Sequence, residues 1–379
     1  MLTLVNFDNA ATTFPKPYSV KNSVDTAFTK FGGNPGRSGH ILSLNTAKAV
    51  YSTREACADF FGAEPENVVF TLNCTHALNL AIKGIMSDGG HIITSDLEHN
   101  SVIRPIYALS KKDCAYSLAH VEADDNKTVS NFEELINSNT KAIVCTLASN
   151  VTGQILPIKK IAEVCHKHNI CFILDGAQGC GILPLKLSDG VNIICTAGHK
   201  GLYGPSGTGL LITDGNFSIP SLIEGGTGSS SLELDQPDFL PDSLESGTVN
   251  TMGILGLGAG VKFVSDNTVQ KIFAHEDKLC RQFISGLSNV PNVIIYRNPS
   301  CKYVPIVSFN IKGLIANETA QILSDNGFCL RGGLHCSGLA HKSLGTAPDG
   351  TVRFAPSIFN NEIQTNSLIL LIKKICQKY

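Results

Sequence analysis

The sequence predicts an α/β protein with a large domain, built on a mostly parallel sheet, and a smaller C-terminal α/β domain. Three observations lead to this prediction. The 379 residues exceed the length of one ordinary compact domain. Short apolar runs alternate with longer segments of helical period through the first two-thirds of the chain, which is the pattern of βαβ units. Near 225–246 the composition becomes turn-like, and a different, shorter α/β pattern follows.

The large domain is predicted to span residues 15–260. Its strand candidates are the short apolar runs Val68–Thr71, His91–Ser95, Ala142–Thr146, Cys171–Leu174, Ile193–Thr196 and Gly209–Ile212. Its helix candidates are Ser43–Phe61, His76–Ile85, Asn131–Ile136 and Ile158–His168. Parallel strands covered by helices on both faces place ligand sites in the loops at the carboxyl ends of the strands.

The smaller domain is predicted to comprise residues 1–14 and 261–379, with the boundary near residue 260. Two long helical segments lie around this boundary, at Thr251–Asn267 and Thr268–Leu287. The elements predicted after them are Val293–Tyr296, Val304–Ile311, the helix Ala316–Asn326, Val352–Ala355 and the helix Glu362–Gln377.

Composition excludes several classes of function. With 30 Lys+Arg against 32 Asp+Glu, the net charge of −2 gives no electrostatic footprint for nucleic acid or an anionic membrane. The 13 cysteines are odd in number and include no C-x-x-C spacing, which argues against a disulfide framework or a zinc ribbon. The first fifteen residues lack the pattern of a signal peptide. We therefore expect a reduced, soluble, cytoplasmic enzyme without a structural metal.

An acid and a lysine follow two neighbouring strand candidates. Asp175 ends the run 172–175, and His199 and Lys200 follow the run 192–196. A lysine beside apolar strands loses solvation, which lowers its pKa and favours an amine able to form a Schiff base. A facing carboxylate suits a pyridinium nitrogen. On this pattern alone, Asp175 could instead cap a turn and Lys200 could be a solvated surface charge.

Small polar residues lie between a strand candidate and the next helix candidate, in the segment Thr71-Leu-Asn-Cys-Thr75-His76. A helix N-terminus offers unpaired N–H groups and the positive end of the helix dipole, which favour a phosphate. The simpler alternative is that Thr75 is only a helix cap.

A cysteine with a distinctive setting occurs in the smaller domain, in Leu330-Arg-Gly-Gly-Leu-His335-Cys336. The glycines predict a flexible loop, and Arg331 and His335 would favour a thiolate at Cys336. Alternatives are a buried inert thiol or a metal site with His341, although the histidine spacing does not match a helical zinc site. Most of the other cysteines resemble small core residues.

Taken together, these patterns resemble the cysteine desulfurases of the class V aminotransferase family, which are pyridoxal-phosphate (PLP) enzymes of fold type I. The resemblance implies a mostly parallel seven-stranded sheet in the large domain. The matching motifs, in chain order, are Phe7-Asp-Asn-Ala-Ala-Thr-Thr13, Gly33-Asn-Pro-Gly-Arg-Ser-Gly39, Glu98-His99, Ser149-Asn-Val-Thr-Gly153, Asp175-Gly-Ala-Gln178, Gly198-His-Lys200, Glu245-Ser-Gly-Thr248, Arg331–Cys336 and Arg353. They cover nearly the whole chain, so the match is specific although each motif alone is modest.

The resemblance implies roles for particular residues toward PLP. Lys200 would hold the cofactor and later move protons at the substrate α-carbon, and His99 would stack on the ring. Asp175 would pair with the pyridinium nitrogen and Gln178 would bond the ring oxygen. The phosphate ligands implied are Cys74, Thr75, His199 and, from a partner subunit of a homodimer, Thr227.

The resemblance also implies how the substrate, L-cysteine, is handled. Arg353, helped by Asn150, would hold its carboxylate, and Arg331 would lie near the active-site loop. The Cys336 thiolate would take the substrate sulfur as a persulfide, leaving L-alanine, and would pass the sulfur to an acceptor protein for iron–sulfur clusters or thio-cofactors.

Departures from the family pattern keep alternatives open. Ala197 stands where a hydroxyl donor to the phosphate is common, unless Thr196 substitutes. The short spacing from Cys336 to Arg353 matches the compact-loop branch, which includes selenocysteine lyases. The alternatives are therefore a selenocysteine lyase or cysteine-sulfinate desulfinase, a class V aminotransferase of a small amino acid, and a catalytically silent sulfur-relay scaffold.

Overall fold

The structure is a computed structural model that describes residues 4–36 and 38–378. Residues 1–3 and 379 of the predicted smaller domain, and Arg37 of the motif 33–39, lie outside the described residues. The strands are β1 (Val5–Asn6), β2 (Val68–Thr71), β3 (Gly90–Ser95), β4 (Cys114–Ala119), β5 (Thr140–Thr146), β6 (Cys171–Asp175), β7 (Ile193–Ala197), β8 (Gly209–Thr213), β9 (Val293–Ile295), β10 (Val307–Ile311), β11 (Phe328–Cys329) and β12 (Val352–Phe354).

Helices connect and cover these strands. They are α1 (Tyr18–Lys30), α2 (Ile41–Phe61), α3 (Cys74–Ile85), α4 (Asn100–Leu109), α5 (Asp125–Glu133), α6 (Ile158–Lys167), α7 (Thr251–Asn267), α8 (Val269–Leu287), α9 (Ala316–Asp325), α10 (Gly338–Ser343) and α11 (Glu362–Cys376).

The central sheet has seven strands in the order β2-β8-β7-β6-β5-β3-β4. Only β8 runs against its neighbours, so the sheet is mostly parallel, as predicted. The edge strand β4 is absent from the predicted strands because its middle residues are only partly buried and its sequence lacks a continuous apolar run. Because β5, β6 and β7 are parallel, their carboxyl ends meet at one edge.

Alternate side chains of β6 pack against opposite faces of the sheet, and both faces are covered. Phe172 and Leu174 pack into one apolar cluster, which includes residues of α2 and α6. Cys171 and Ile173 pack into a second cluster, which includes residues of α3 and α4. Every residue of β6 is buried, so the strand is fixed on both faces and the acid at its end has little freedom to move.

A second, smaller unit packs around aromatic rings. Its antiparallel sheet has the order β12-β10-β9, and β1 from the chain start pairs with β11. Phe283 stacks on Phe354 with ring centroids 4.2 Å apart, and Phe7 lies 4.7 Å from Phe354. The start of the chain therefore contributes to the core of the C-terminal unit.

The predicted boundary near residue 260 falls inside α7. This helix is continuous to Asn267 and packs on α1 and α2 of the larger unit. Thr268 follows it with a positive φ of 64° and caps α8 through its hydroxyl. The helix α7 therefore continues past the predicted boundary, and α8 begins after Thr268.

Candidate active site

A cavity of about 350 Å³ lies at the carboxyl edge of the central sheet. It has the size of a small-molecule site. Ten of the residues predicted from sequence line it: Cys74, Thr75, His99, Asn150, Asp175, Gln178, His199, Lys200, Arg331 and Arg353. The sheet thus brings together side chains that lie up to 279 positions apart in the sequence, from Cys74 to Arg353.

Asp175 ends β6 and is almost completely buried. Its Oδ1 accepts hydrogen bonds from the Ala177 N–H at 2.9 Å and from the Cys74 thiol at 3.4 Å. Burial, and secondarily the Asp175 charge, raises the pKa of Cys74 well above that of an ordinary thiol, so Cys74 stays protonated and donates. One carboxylate oxygen is thereby committed to the protein, and Oδ2 carries no hydrogen bond from residues of the described ranges.

Lys200 follows β7 and is half-buried. Loss of solvation lowers its pKa, although Asp175 and Cys74 act in the opposite direction. Its backbone is held by the Thr13 hydroxyl, which donates to the Lys200 carbonyl at 2.9 Å. The structure therefore gives the amine the partly desolvated setting that the sequence predicted, which increases its unprotonated fraction.

His199 is held through its backbone while part of its ring stays unpaired. Its carbonyl accepts from the Lys16 amine at 2.8 Å and from the Thr13 N–H at 3.1 Å. Its Nδ1 is buried and has no partner within the described part of the chain. Burial lowers the ring pKa to about 4, with smaller contributions from Lys200 and Lys16.

The amino end of α3 forms one wall of the cavity. The Asn73 side chain caps the helix by accepting from the His76 N–H at 2.9 Å. The next residues, Cys74 and Thr75, begin the helix, where the first N–H groups have no acceptor within the helix. Gly209 of β8 permits this packing, because a Cβ there would lie 2.6 Å from the Asn73 carbonyl carbon. Thr75 therefore lies at a helix end that can receive an anion.

Thr196 does not replace the hydroxyl that Ala197 lacks. Ala197 lines the cavity, whereas Thr196 is not among the lining residues. The Thr196 side chain is buried instead. The two residues are consecutive in β7, so their side chains point to opposite faces of the sheet.

Arg353 is a buried cation, and some of its N–H groups have no acceptor among the described residues. Its Nη2 lies 2.8 Å from Asp8 Oδ1 and its Nη1 donates to the Asn150 carbonyl at 2.9 Å. Its Nε is buried and has no partner in the described ranges. A guanidinium has five N–H groups, so three remain for another acceptor.

Asn150 connects the cavity to the cysteine loop. Its amide donates to the His335 carbonyl at 2.8 Å and its side-chain oxygen accepts from the Ser337 hydroxyl at 2.6 Å. One amide hydrogen remains for the substrate contact that the sequence predicted, and the rest of the side chain holds the loop. The Asn100 N–H also donates to the Cys336 carbonyl at 2.8 Å.

Cys336 lies beside the cavity and is the only exposed cysteine of the thirteen. The Arg331 Nη2 lies 3.5 Å from its sulfur, and Arg331 itself lines the cavity. His335 and Cys336 both have positive φ angles, 49° and 59°. Such angles are costly for residues with a side chain, so the contacts from Asn100 and Asn150 are needed to hold them.

His335 does not supply the positive charge expected beside Cys336. Burial lowers its pKa to about 2, and the nearby Arg353 adds to that effect. The neutral ring donates from Nε2 to the Thr351 carbonyl at 3.0 Å. Arg331 is therefore the cation beside the Cys336 sulfur, and His335 supports the backbone of the loop.

The glycines of this loop serve close packing. A Cβ at Gly332 would lie 2.4 Å from the Ala316 carbonyl oxygen, and Gly333 has a φ of 101°. The expectation that these glycines simply make the loop flexible therefore omits their role in bringing two backbones together.

One predicted residue, Gln178, has a competing contact, and another, Thr227, lies outside the cavity. Gln178 lines the cavity, but its amide also donates to the Ala10 carbonyl at 3.1 Å. Thr227 lines a different cavity, which also contains Arg54 and Glu245, and its hydroxyl contacts Ser229 at 3.0 Å. Within one chain, Thr227 is thus separate from the cavity that holds Lys200.

Sequence reasoning missed the residues that position others. Asp8 pairs with Arg353, and Ser101 contacts the His99 ring. Glu98 is fully buried, and burial raises its pKa to about 8. Asp8 and Glu98 lie within motifs noted in the sequence, but a pairing across 345 positions leaves no local pattern.

The polar groups that line the cavity fit PLP. Asp175 keeps one carboxylate oxygen available for a ring nitrogen, Lys200 offers an amine of lowered pKa, and the amino end of α3 suits a phosphate. The unpaired buried nitrogens of His199 and Arg353 belong to residues that line this same cavity. Such atoms are rare in proteins unless a ligand or water satisfies them.

The sheet order and the site at its carboxyl edge define an α/β enzyme of fold type I, a fold of PLP-dependent enzymes. Residues 5–367 match the aminotransferase class-V family, and the chain belongs to that family.

Proteins similar to this chain include a probable cysteine desulfurase of Pyrococcus abyssi, 30% identical over 96% of this chain and 92% of the relative. Another, from Methanothermobacter thermautotrophicus, is 29% identical over 94% of this chain and 91% of the relative. Among solved structures, the apo cysteine desulfurase of Thermococcus onnurineus superimposes with a TM-score of 0.91 at 28% identity, covering 99% of this chain and 95% of that one.

Across residues 4–36 and 38–378, no helix is both long and apolar enough to cross a membrane.

Proposed function

We propose that this protein is a PLP-dependent cysteine desulfurase, which converts L-cysteine to L-alanine and leaves the sulfur on Cys336 as a persulfide. The observation that carries the proposal is the exposed Cys336 thiol, 3.5 Å from the guanidinium of Arg331, which lines the cavity containing Lys200 and Asp175. The names of the relatives and of the solved structure support the same activity.

Each wall of the cavity would hold a different part of the cofactor. Lys200 would carry it, Asp175 would pair with its ring nitrogen, and Thr75 with the amino end of α3 would receive its phosphate. When bound, PLP supplies an electron sink for carbanion chemistry at the substrate α-carbon. His99 and Gln178 line the cavity between these groups.

Arg353 would bind the substrate carboxylate. Its guanidinium is fixed by Asp8 and Asn150, so its remaining N–H groups are preorganised for a planar bidentate partner. Lys200 would move the proton of the substrate α-carbon, because loss of solvation lowers its pKa and so increases the unprotonated fraction of the amine.

Cys336 would take the sulfur. Its thiolate forms a new S–S bond to the substrate sulfur while the C–S bond of the substrate breaks, and the carbon gains a proton to give alanine. L-Cysteine and the enzyme thiol thus become L-alanine and an enzyme persulfide, with no external oxidant. The Arg331 guanidinium lies 3.5 Å from the Cys336 sulfur.

The test is to load the purified protein with PLP, add L-cysteine with a reductant, and measure alanine and sulfide. We expect both products in equal amounts and a visible absorption band, which Lys200→Ala should alter. Cys336→Ser should abolish sulfide release while the band persists. Protein that takes up no added PLP, or a Cys336→Ser variant with full cysteine turnover, would overturn the proposal.

The same assay separates the alternatives. Release of selenide from selenocysteine by Cys336→Ser, with loss of cysteine turnover, would assign both activities to this site. Turnover that depends on pyruvate or glyoxylate would indicate an aminotransferase. The exposed thiol beside Arg331 disfavours an aminotransferase, which requires no such group.

We also propose a homodimer that acts in the reducing cytoplasm and passes sulfur to an acceptor protein. Thr227 lies outside the cavity of its own chain, and the loop that carries it exposes Leu232 and Leu234 completely. All thirteen cysteines are free thiols, which supports a reducing compartment.

A further inference from the structure

The His99 ring is held by the helix that follows it. His99 is the N-cap of α4, and its Nδ1 accepts from the backbone N–H of Ser101 at 3.1 Å. The Ser101 hydroxyl lies 2.7 Å from the same nitrogen. Ser101 is buried and, like His99, lines the cavity.

These two contacts determine which ring nitrogen carries the hydrogen. A backbone N–H can only donate, so Nδ1 must offer a lone pair, and the Ser101 hydroxyl must donate as well. In a neutral imidazole the other nitrogen is then protonated. His99 is therefore the Nε2–H tautomer, and its Nε2 has no hydrogen bond with residues 4–36 or 38–378.

The surroundings also keep the ring neutral. Burial lowers the pKa of His99 to about 4; Asp175 opposes the shift, while Lys200, Arg331 and Arg353 add to it. The positive end of the α4 dipole disfavours an imidazolium at this position. A neutral Nε2–H ring donates a hydrogen bond but has no lone pair at Nε2 with which to accept a proton.

We propose that Ser101 is a positioning residue that, with the amino end of α4, fixes His99 as a neutral hydrogen-bond donor. Nε2–H would then donate a hydrogen bond to the ligand in the cavity, and Lys200 would accept the proton of the substrate α-carbon. This role of His99 rests on the proposed function; the tautomer does not.

Nitrogen NMR of ¹⁵N-histidine-labelled apoprotein tests the tautomer without any activity. The His99 signals are identified by their absence in His99→Gln. We expect an Nε2–H ring between about pH 6 and 8. An Nδ1–H ring, or a ring that titrates with an ordinary histidine pKa of about 6.5, would overturn the proposal.

Two variants at position 101 sharpen the test. Ser101→Asp places a carboxylate beside Nδ1, which should select an Nδ1–H ring and raise the His99 pKa by about one unit or more. Ser101→Thr keeps the hydroxyl and should retain the wild-type tautomer. An unchanged tautomer in Ser101→Asp apoprotein of native circular dichroism would show that position 101 does not control the ring.

Kinetics of the loaded enzyme then test the role of the tautomer. Ser101→Asp should lower kcat for L-cysteine at least tenfold, whereas Ser101→Thr, which keeps the hydroxyl, should lower it far less. Equal kcat for Ser101→Asp and wild type, with the tautomer changed, would remove the catalytic half of the proposal. Absence of desulfurase activity in wild type would refute the proposed function and leave the NMR result standing.

Discussion

At the edge of the sheet, individual side chains are held by hydrogen bonds, yet some of their polar atoms have no partner within the described part of the chain. Asp175 receives two donors on Oδ1, and Arg353 uses two of its N–H groups on Asp8 and Asn150. These protein bonds fix the direction of each group, and both residues line the cavity. Such preorganisation lets a ligand bind without reorienting the side chains.

The missing hydroxyl at Ala197 gives a test at the scale of one residue. Ala197→Ser places a donor beside the amino end of α3, and one additional hydrogen bond contributes about 1 kcal/mol. We expect the Kd for PLP to fall about fivefold, measured by equilibrium binding to apoprotein.

A matched control for that test lies one residue earlier. Thr196→Ser changes a side chain that is not among the cavity-lining residues, so it should leave the Kd unchanged. Equal affinities for wild type and Ala197→Ser would mean that no phosphate oxygen lies near this position.

At the scale of elements, the amino ends of two helices form part of the cavity wall. Asn73 caps α3 and His99 caps α4, so the walls of the cavity are also the ends of two helices. The helix α4 was not predicted, since Pro105 lies inside it and interrupts the expected pattern. Its position is set by tertiary packing, with Val102 and Ile106 fully buried.

A buried ion pair joins α2 to the loop that carries Thr227. Arg54 of α2 lies 2.8 Å and 2.9 Å from the two oxygens of Glu245, which also accepts from the Phe70 N–H at 2.6 Å. Glu245→Gln would leave the Arg54 charge buried without a counter-charge. We expect a loss of about 3 kcal/mol in the free energy of unfolding, measured in urea.

An exposed pair provides the control. Lys262 and Asp266 form an ion pair on the surface of α7, where such pairs contribute little. Asp266→Asn should change the free energy of unfolding by less than about 0.5 kcal/mol. A Glu245→Gln variant as stable as Asp266→Asn would show that the buried pair does not stabilise the fold.

At the scale of the whole molecule, a buried acid lies between the two units. Glu276 of α8 accepts a hydrogen bond from the Tyr203 hydroxyl at 3.1 Å, beside a cavity of about 40 Å³ that Lys200 also lines. Burial raises the pKa of Glu276 to about 8. The acid is therefore neutral in the folded protein at neutral pH.

This raised pKa predicts how stability depends on pH. An unfolded glutamate loses its proton near pH 4.5 and the folded one near pH 8, so Glu276 destabilises the fold increasingly as pH rises between these values. Glu276→Gln removes this contribution. We expect the Tm of the variant, relative to wild type, to be higher by about 2 °C or more at pH 8 than at pH 5, by calorimetry.

A second buried acid also affects how the stability depends on pH. Glu98 is the second buried acid with a raised pKa, so the Glu276→Gln variant should itself still lose some stability as the pH rises. A Tm difference that does not change from pH 5 to pH 8 would mean that Glu276 is ionised in the folded protein.

The proposed dimer is tested at the same scale. Leu234 is fully exposed on the loop that carries Thr227, and an exposed apolar side chain in such a loop favours association. Wild type should sediment as a dimer, and Leu234→Asp should shift it toward monomer with weaker PLP binding. Leu370→Asp, on α11 of the other unit, is the control and should remain a dimer.

Much of the fold was predictable because buried strands are apolar and short. The predicted run Val68–Thr71 equals β2, and the helix predicted at Thr251–Asn267 equals α7. The prediction omitted α1 and β4, whose burial is partial, and α4, which contains Pro105. The helix expected at Asn131–Ile136 begins earlier, at Asp125, where Asp124 caps it.

The sequence by itself determined the family, the strands of the sheet and the residues at the strand ends, because local periodicity and motif order are properties of the chain. Only the tertiary structure decided which of those residues share a cavity, that His335 is neutral, and that Ser101 holds His99. The physical reason is that burial and hydrogen bonding depend on neighbours distant in the chain. Those neighbours, and not the residue types alone, set the charge and direction of each group.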